Sequence, residues 1–239
     1  MQAVNVPQIL RESELFRDLP ADDLAALESH MQRKAFPAGT LLISPEQSGE
    51  ALFVILEGTV KIFLHRDDGS EVIFALLGAG QTVGEMSVFT GGMRSANVLT
   101  MERTNLLCMS GGAFQRCLQT MPALSYNLNC LLVSRLRSAN QQILALSSLD
   151  VAGRVAHEIL TFAEQFGRAV SNGEATIHIP VRLTQGDLAS IVGTSRERVN
   201  QVMVGFKQRG YLSVDRSYHI TVHDRDALAR RCNWAGAPV

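Results

Sequence analysis

The chain is short of the residues that build disulfide staples, metal cages and membrane spans, and each shortage removes a class of function. Only four of its 239 residues are cysteine (Cys108, Cys117, Cys130 and Cys232), and none lies in the first hundred. No C-x-x-C spacing occurs among them, which argues against a zinc or redox motif and against an iron–sulfur cluster in the N-terminal part. The four thiols read instead as small buried hydrophobes and one tail thiol, with thiol oxidation kept as a lesser alternative. The six histidines also lack ligand spacing. His219 and His223 are four apart on a strand-like segment, which suits a wing or surface role better than a metal, so no metal is expected.

There is no nucleophile–base constellation either, and an enzyme is not expected. No apolar run approaches the length of a membrane span, and the N-terminus lacks the basic-then-apolar pattern of a signal peptide. The expectation is a cytoplasmic protein without a membrane partner. With 22 Lys+Arg against 23 Asp+Glu the formal net charge is -1. Nucleic acid would gain nothing from the global field, so any affinity must come from a local basic patch.

Such a patch exists. Residues 183–210, LTQGDLASIVGTSRERVNQVMVGFKQRG, read as two short helices joined by a tight turn. Thr184 is a good N-cap and Asp187 completes a capping-box-like pattern, so the first helix starts at about Gln185. Leu188, Ile191 and Val192 form its apolar face, Ala189 allows a close crossing, and Gly193 supplies the positive φ that ends it. Thr194 or Ser195 caps a second helix predicted to bury Val199, Val202 and Phe206 and to leave Arg196, Arg198, Asn200, Gln201 and Lys207 outside. This is the helix-turn-helix pattern, whose second helix enters the major groove of double-stranded DNA. A merely solvated αα-hairpin is the plain alternative. Against it, Glu197 is the only acid from Ser195 to Arg209, among Arg196, Arg198, Lys207 and Arg209. Arg can fork onto guanine, and Glu can accept from cytosine N4. The candidate DNA-binding set is Thr184, Ser195, Arg196, Glu197, Arg198, Asn200, Gln201 and Lys207. Residues 211–214 and 218–222 alternate around Asp215-Arg216-Ser217 and predict a β-hairpin wing.

Upstream, residues 1–35 read as a helical prologue, with helical spacing over Glu12–Phe16 and Asp22–Met31 and a break at Pro20. From Phe36 the texture changes to short β-rich runs at 41–43, 52–56, 60–64, 72–77, 96–99 and 105–109, cut by glycines. Many short strands predict a compact antiparallel barrel or roll. One loop interrupts them: Val83-Gly84-Glu85-Met86-Ser87-Val88-Phe89-Thr90-Gly91-Gly92-Met93-Arg94-Ser95-Ala96. Gly84 permits close backbone approach, Glu85 can accept from a sugar hydroxyl, Arg94 offers a planar fork to phosphate, and Ser95 adds a hydroxyl. That is nucleotide chemistry. An Arg94–Glu85 salt bridge tying down the loop is the structural alternative.

The loop GEMSVFTGGMRSA resembles the phosphate-binding cassette of the CRP/FNR family of bacterial transcription regulators, and LDVAGRVA followed by IVGTSRERV resembles its hinge and recognition segment. The likeness runs from about Phe16 to Val222. It implies an α+β fold with an N-terminal antiparallel β-roll of cyclic-nucleotide-binding type, a long dimerisation helix and a C-terminal winged helix-turn-helix. Domains are expected at 1–122, 123–149 and 150–239. The resemblance further implies that Gly84 and Glu85 hold ribose, that Arg94 and Ser95 hold the cyclic phosphate with Met86 in the same cassette, and that Arg196 and Glu197 read bases. Two positions depart from the cyclic-AMP receptor: Ala139-Asn140 replaces a Thr-Ser pair that touches adenine, and Gln201 replaces a second base-reading Arg. Asn140 is left to contact the base.

The connecting helix spans about Ala123 to Leu149, and Leu132, Leu136, Ala139, Ile143 and Leu146 form a narrow heptad seam along it. Such a stripe is compatible with plain core packing; the resemblance makes it a homodimer seam. Asp150 is expected to cap a following helix that packs Val155, Ile159, Phe162 and Phe166. The implied mechanism is a two-state homodimer on a two-fold symmetric operator, governed by cyclic AMP or another cyclic nucleotide and working with RNA polymerase. The alternatives are a ligand-independent regulator of the same fold, or one responding to cyclic di-GMP or to thiol oxidation.

Overall fold

A computed structural model describes residues 6–46, 51–170 and 176–233. By internal contacts the chain divides into two units, Met1–His65 with Ile73–Val133, and Arg66–Val72 with Ser134–Val239.

Ahead of residue 122, α1 (Val6–Glu12) and α2 (Ala21–Ser29) precede β1 (Met31–Phe36), β2 (Leu41–Ile43), β3 (Ala51–Glu57), β4 (Val60–His65), β5 (Glu71–Leu77), β6 (Thr82–Val83), α3 (Glu85–Thr90), β7 (Asn97–Thr100), β8 (Thr104–Ser110) and α4 (Gly111–Thr120). The strands make two four-stranded sheets, in the orders β1-β8-β3-β6 and β2-β7-β4-β5. Pairing is antiparallel, for example Leu52 with Met109 and Ile62 with Val98. The roll is two-sided because side chains alternate along a strand. On β3 and β8, Leu52, Val54, Leu56, Leu107 and Met109 join a cluster with Phe16, Leu27 and Phe114. Ile55 and Leu106, of opposite parity, join Ile43, Val60, Val83 and Val98 instead. Each such fully buried aliphatic or aromatic side chain contributes about 1.5–3 kcal/mol.

All six expected strands form. The prologue needs correction: residues 13–18 are turn, with Asp18 at φ 58°, and Met31 opens β1 rather than ending a helix. Met31 pairs with Met109 of β8, and that ladder outweighs the helical spacing of Leu24, Leu27 and Met31.

Helix α5 (Pro122–Ser148) runs from the first unit into the second. Its start is anchored by Leu124, Leu128 and Leu131 in the helix-side core and by Asn127 Nδ2, which donates to Leu15 O (3.2 Å) and Arg17 O (2.8 Å). Leu132 packs on that same core. Further along, Leu136, Ile143 and Leu146 are 62%, 64% and 47% exposed, so the chain itself leaves the rest of the seam uncovered.

After α5, the Asp150 side chain accepts from Gly153 N and caps α6 (Val151–Phe166) in the second unit. There follow β9 (Arg168–Ala169), β10 (Ile177–Ile179), α7 (Gln185–Val192), α8 (Arg196–Gln208), β11 (Leu212–Val214), β12 (Ile220–Val222) and α9 (Arg225–Cys232). β11 and β12 form the expected wing, and β10 and β9 extend it to a four-stranded sheet in the order β11-β12-β10-β9, which the sequence reading did not contain. α6 carries the core of this unit with Val155, Ile159 and Phe162.

Glu158 on α6 is buried as well, and burial raises its carboxyl from the ordinary 4.5 to about 7. The folded chain therefore keeps this proton to higher pH than the unfolded chain does. The group is neutral to stability below about 4.5 and becomes a growing penalty as pH rises toward 7, of roughly 3 kcal/mol above it. Glu158→Gln is expected to raise the melting temperature at pH 8 and to change it little at about pH 4.5; equal effects at both would show that the side chain is solvated.

Candidate functional site

Two constellations emerge, one in each unit. The first is built on the turn from β6 into α3. Gly84 sits there at φ 92°, and an added Cβ would come within 2.7 Å of Ala51 O and of Arg94 Nη1. Only glycine allows strand, turn and guanidinium to close up in this way. α3 then ends on Gly91 in the left-handed region, and the chain returns to place Arg94 back against Gly84.

Arg94 is 8% exposed and Glu85 1%. Arg94 Nη1 donates to Gly84 O at 2.9 Å and to Ser87 Oγ at 2.7 Å, while Nη2 donates to Ala51 O at 2.7 Å. These partners are neutral. Burial pushes the guanidinium pKa down from its ordinary value, and the Glu85 carboxylate offsets part of that through its field. The alternative of a simple Arg94–Glu85 tie is thus replaced by a cation seated on three oxygens, with a buried carboxylate near enough to be felt. A glycine cradle, a buried cation and a buried acceptor suit a sugar bearing an anionic phosphate.

Ser95 is exposed beside Arg94, and Met86 is 51% exposed on α3. Asn140 is an exposed residue of α5 in the second unit. The structure therefore brings Gly84, Glu85 and Arg94 together, and adds two groups absent from the sequence reading, Ser87 Oγ and Ala51 O. Ser87 stands three residues after Gly84 on a helical turn, a spacing that could have placed its hydroxyl toward the glycine. Ala51 carried no such signal, since it arrives from β3, 43 residues away from Arg94.

The second constellation is the helix pair α7 and α8. The capping box forms in full: Asp187 N donates to Thr184 Oγ1 (3.1 Å), while Thr184 N and Oγ1 donate to Asp187 Oδ2 (2.9 and 2.6 Å). Leu188, Ala189, Ile191 and Val192 are buried, and Gly193 ends α7 at φ 65°. Ser195 caps α8, accepting from Arg198 N at 3.3 Å. Val199 and Phe206 are buried as expected. The residue between them is Met203, not Val202, which is only half-buried. At 3.6 residues per turn Val202 and Met203 lie equally far to either side of the line through Val199 and Phe206, and packing takes Met203.

Arg196, Glu197, Arg198, Gln201 and Lys207 are exposed on α8. Asn200 is exposed too, and its Oδ1 accepts from Gln185 Nε2 at 2.7 Å, tying the reading helix to the start of α7. In the wing turn His219 Nδ1 lies 3.0 Å from Asp215 Oδ2, and His223 Nε2 lies 2.9 Å from Ser213 Oγ. Both histidines bond within the hairpin, and the His219 ring also meets the edge of His178 on β10, with 5.7 Å between centroids. Among the described residues no group of three or more His, Cys, Asp or Glu could hold a metal ion, and no helix is long and apolar enough to cross a membrane.

Together these features define a DNA-binding transcription regulator that carries a cyclic-nucleotide-binding domain. The cyclic nucleotide-binding domain family matches residues 33–121, and the Crp-like helix-turn-helix domain family matches residues 153–231. The chain is 31% identical over 224 residues to the CRP-like cAMP-activated global transcriptional regulator of Mycobacterium tuberculosis, covering 94% of this chain and 98% of that one. It is 30% identical over 201 residues to the cyclic AMP receptor protein of Thermus thermophilus, covering 84% and 88%. The Thermus thermophilus catabolite activator protein aligns with TM-score 0.52 at 28% identity over 92% of this chain and 99% of that one. The c-di-GMP responsive regulator CLP of Xanthomonas campestris shares the fold, with TM-score 0.72 at 23% identity over 85% and 99%. The chain belongs to the CRP/FNR family of transcription regulators, which are not enzymes.

Proposed function

We propose that this regulator is a cytoplasmic homodimer whose hold on a two-fold symmetric operator is set by a cyclic mononucleotide, with cyclic AMP the leading ligand. The observation that carries the reading is the seat at Gly84, where a buried guanidinium and a buried carboxylate converge. Arg94 and Ser95 would take the cyclic phosphate, Gly84 and Glu85 the ribose with Met86 alongside, and Asn140 the base. Relatives named for activation by cyclic AMP support the choice of ligand. Asn140 offers both donor and acceptor, so cyclic GMP is the next candidate. The seam of α5, in the segment 123–149, would pair two copies, and its exposed Leu136, Ile143 and Leu146 support that pairing. Ligand shifts the dimer only by binding one arrangement of the two reading helices more tightly than the other. Engagement of RNA polymerase at the promoter is the step that follows.

A thermal-shift screen backed by calorimetry with cyclic AMP, cyclic GMP and cyclic di-GMP tests the ligand, since binding to the native state raises the melting temperature. The expected result is a shift with cyclic AMP. Silence from all three leaves a regulator in which Glu85 and Arg94 only hold the loop, a reading that the neutral partners of Arg94 also accommodate.

On DNA, Arg196→Ala should lose about 1–3 kcal/mol of discrimination at one guanine of each half-site, whereas Lys207→Ala should weaken all sequences alike and flatten the salt dependence. Selection from random duplexes with each variant separates the two, and a uniform loss from Arg196→Ala would assign it to phosphate. Gln201 should give an adenine or a loosely specified base at its position.

A further inference from the structure

We infer that Ser87 is a positioning residue of the nucleotide seat, its hydroxyl setting the plane of the Arg94 guanidinium so that the donors left over face a phosphate as a pair; this rests on the cyclic-nucleotide reading above. Ser87 is 5% exposed, on the first turns of α3. Its Oγ lies 3.4 Å from Gly84 O, to which it can donate only one proton, and this turns an oxygen lone pair toward Arg94 Nη1 at 2.7 Å. A backbone carbonyl would accept from Arg94 whatever side chain stood at 87. The hydroxyl is the only side-chain atom among the three acceptors, so it is the one of them that substitution can remove.

The donor count gives the consequence. A guanidinium has five N–H groups in one plane. Both on Nη1 and one on Nη2 are committed, to Gly84 O, Ser87 Oγ and Ala51 O. Among the described residues Nε–H and the second Nη2–H have no partner; they lie on neighbouring nitrogens, which is the pair that meets two oxygens of a phosphate at once. Three acceptors from two elements, β3 and the Gly84–α3 turn, fix the plane before ligand arrives. Preorganisation of this kind lowers the ordering cost of binding. Without the hydroxyl, one Nη1–H lacks its partner and the plane is held by two backbone oxygens only, so the fork is presented in a spread of orientations.

Calorimetric titration of cyclic AMP and cyclic GMP into wild type, Ser87→Ala, Ser87→Thr and Ser87→Val tests this. Thr and Val have nearly the same shape and differ in the hydroxyl, so any strain from a branched side chain cancels between them. The expected result is about tenfold weaker binding for Ser87→Ala than for wild type, and for Ser87→Val than for Ser87→Thr, which corresponds to about 1.4 kcal/mol. The Nε–H resonance of Arg94, assigned by its loss in Arg94→Lys, should be sharp in ligand-free wild type and Ser87→Thr and broadened in Ser87→Ala, an effect that loss of packing alone would not produce. Should the branched variants not fold, wild type against Ser87→Ala, with the Arg94 resonance, decides alone. Wild type that binds while Ser87→Ala binds equally or more tightly overturns the inference and leaves the nucleotide reading standing. Wild type that binds neither nucleotide overturns both.

Discussion

Arg94→Ala should abolish most nucleotide affinity and also soften the fold. A charge-assisted hydrogen bond to a phosphate is worth about 1.5–3 kcal/mol, so the dissociation constant for cyclic AMP should rise on the order of a hundredfold, read by calorimetry. The same substitution strips a donor from Gly84 O, Ser87 Oγ and Ala51 O, all packed at the seat. A loss of about 2 kcal/mol there lowers the ligand-free melting temperature by roughly 4–8 °C. Arg94→Lys separates the two effects. It keeps the charge but offers a point rather than a fork, so affinity should fall less than in Arg94→Ala while specificity for the cyclic phosphate geometry loosens. Unchanged affinity in Arg94→Ala, with the lower melting temperature, would make Arg94 a structural bolt.

Ile143→Asp should convert the protein to monomers. Ile143 is 64% exposed in the single chain, flanked along the seam by Leu136 and Leu146. In a paired seam an aspartate at 143 faces its symmetry mate in an apolar strip, and each unpaired carboxylate deprived of water costs several kcal/mol. The dimer dissociation constant should rise on the order of a thousandfold or more, about 4 kcal/mol, visible by sedimentation. Operator affinity falls with it, because a monomer reads a single half-site. The melting temperature of the isolated chain should hardly move, since the substituted side chain was already in solvent. A mutant that stays dimeric would place the subunit contact elsewhere.

Much of this was legible in the sequence, for reasons that can be stated residue by residue. Of the six expected strands, β3 and β8 alternate cleanly between two cores, as Leu52, Val54 and Leu56 do against Ile55, and alternation is what a strand pattern reports. The helix-turn-helix was readable to the cap because Thr184, Asp187, Gly193 and Ser195 are local signals acting within four residues. Strand β1 was not readable. Its side chains from Gln32 to Ala35 are all exposed, so no apolar alternation marks it, and only pairing with β8, some seventy residues on, makes it a strand. β9, two residues long, is too short to leave a pattern.

The binding seat divides the same way. Gly84, Glu85 and Arg94 stood out by chemistry, whereas the choice between ligand site and salt bridge depended on partners that sequence could not supply. Ala51 O reaches Arg94 through the fold, and Ser87 through the turn of a six-residue helix. On α8, Val202 and Met203 are both apolar neighbours of the same stripe, and only packing decides that Met203 goes in.

The central claim, that a cyclic nucleotide in the roll controls the reading helices, is tested most directly by operator affinity with and without ligand. A duplex selected from random DNA by the wild-type dimer is titrated by fluorescence anisotropy at one fixed salt concentration, in the absence of nucleotide and at saturating cyclic AMP. The expected result is a two-fold symmetric site bound at least about tenfold more tightly with cyclic AMP, a coupling of roughly 1.4 kcal/mol or more. Arg94→Ala should bind that duplex with the weak, nucleotide-independent affinity of the ligand-free wild type. Equal affinity of the wild-type protein with and without cyclic AMP, at a nucleotide concentration shown by calorimetry to saturate it, would contradict the claim.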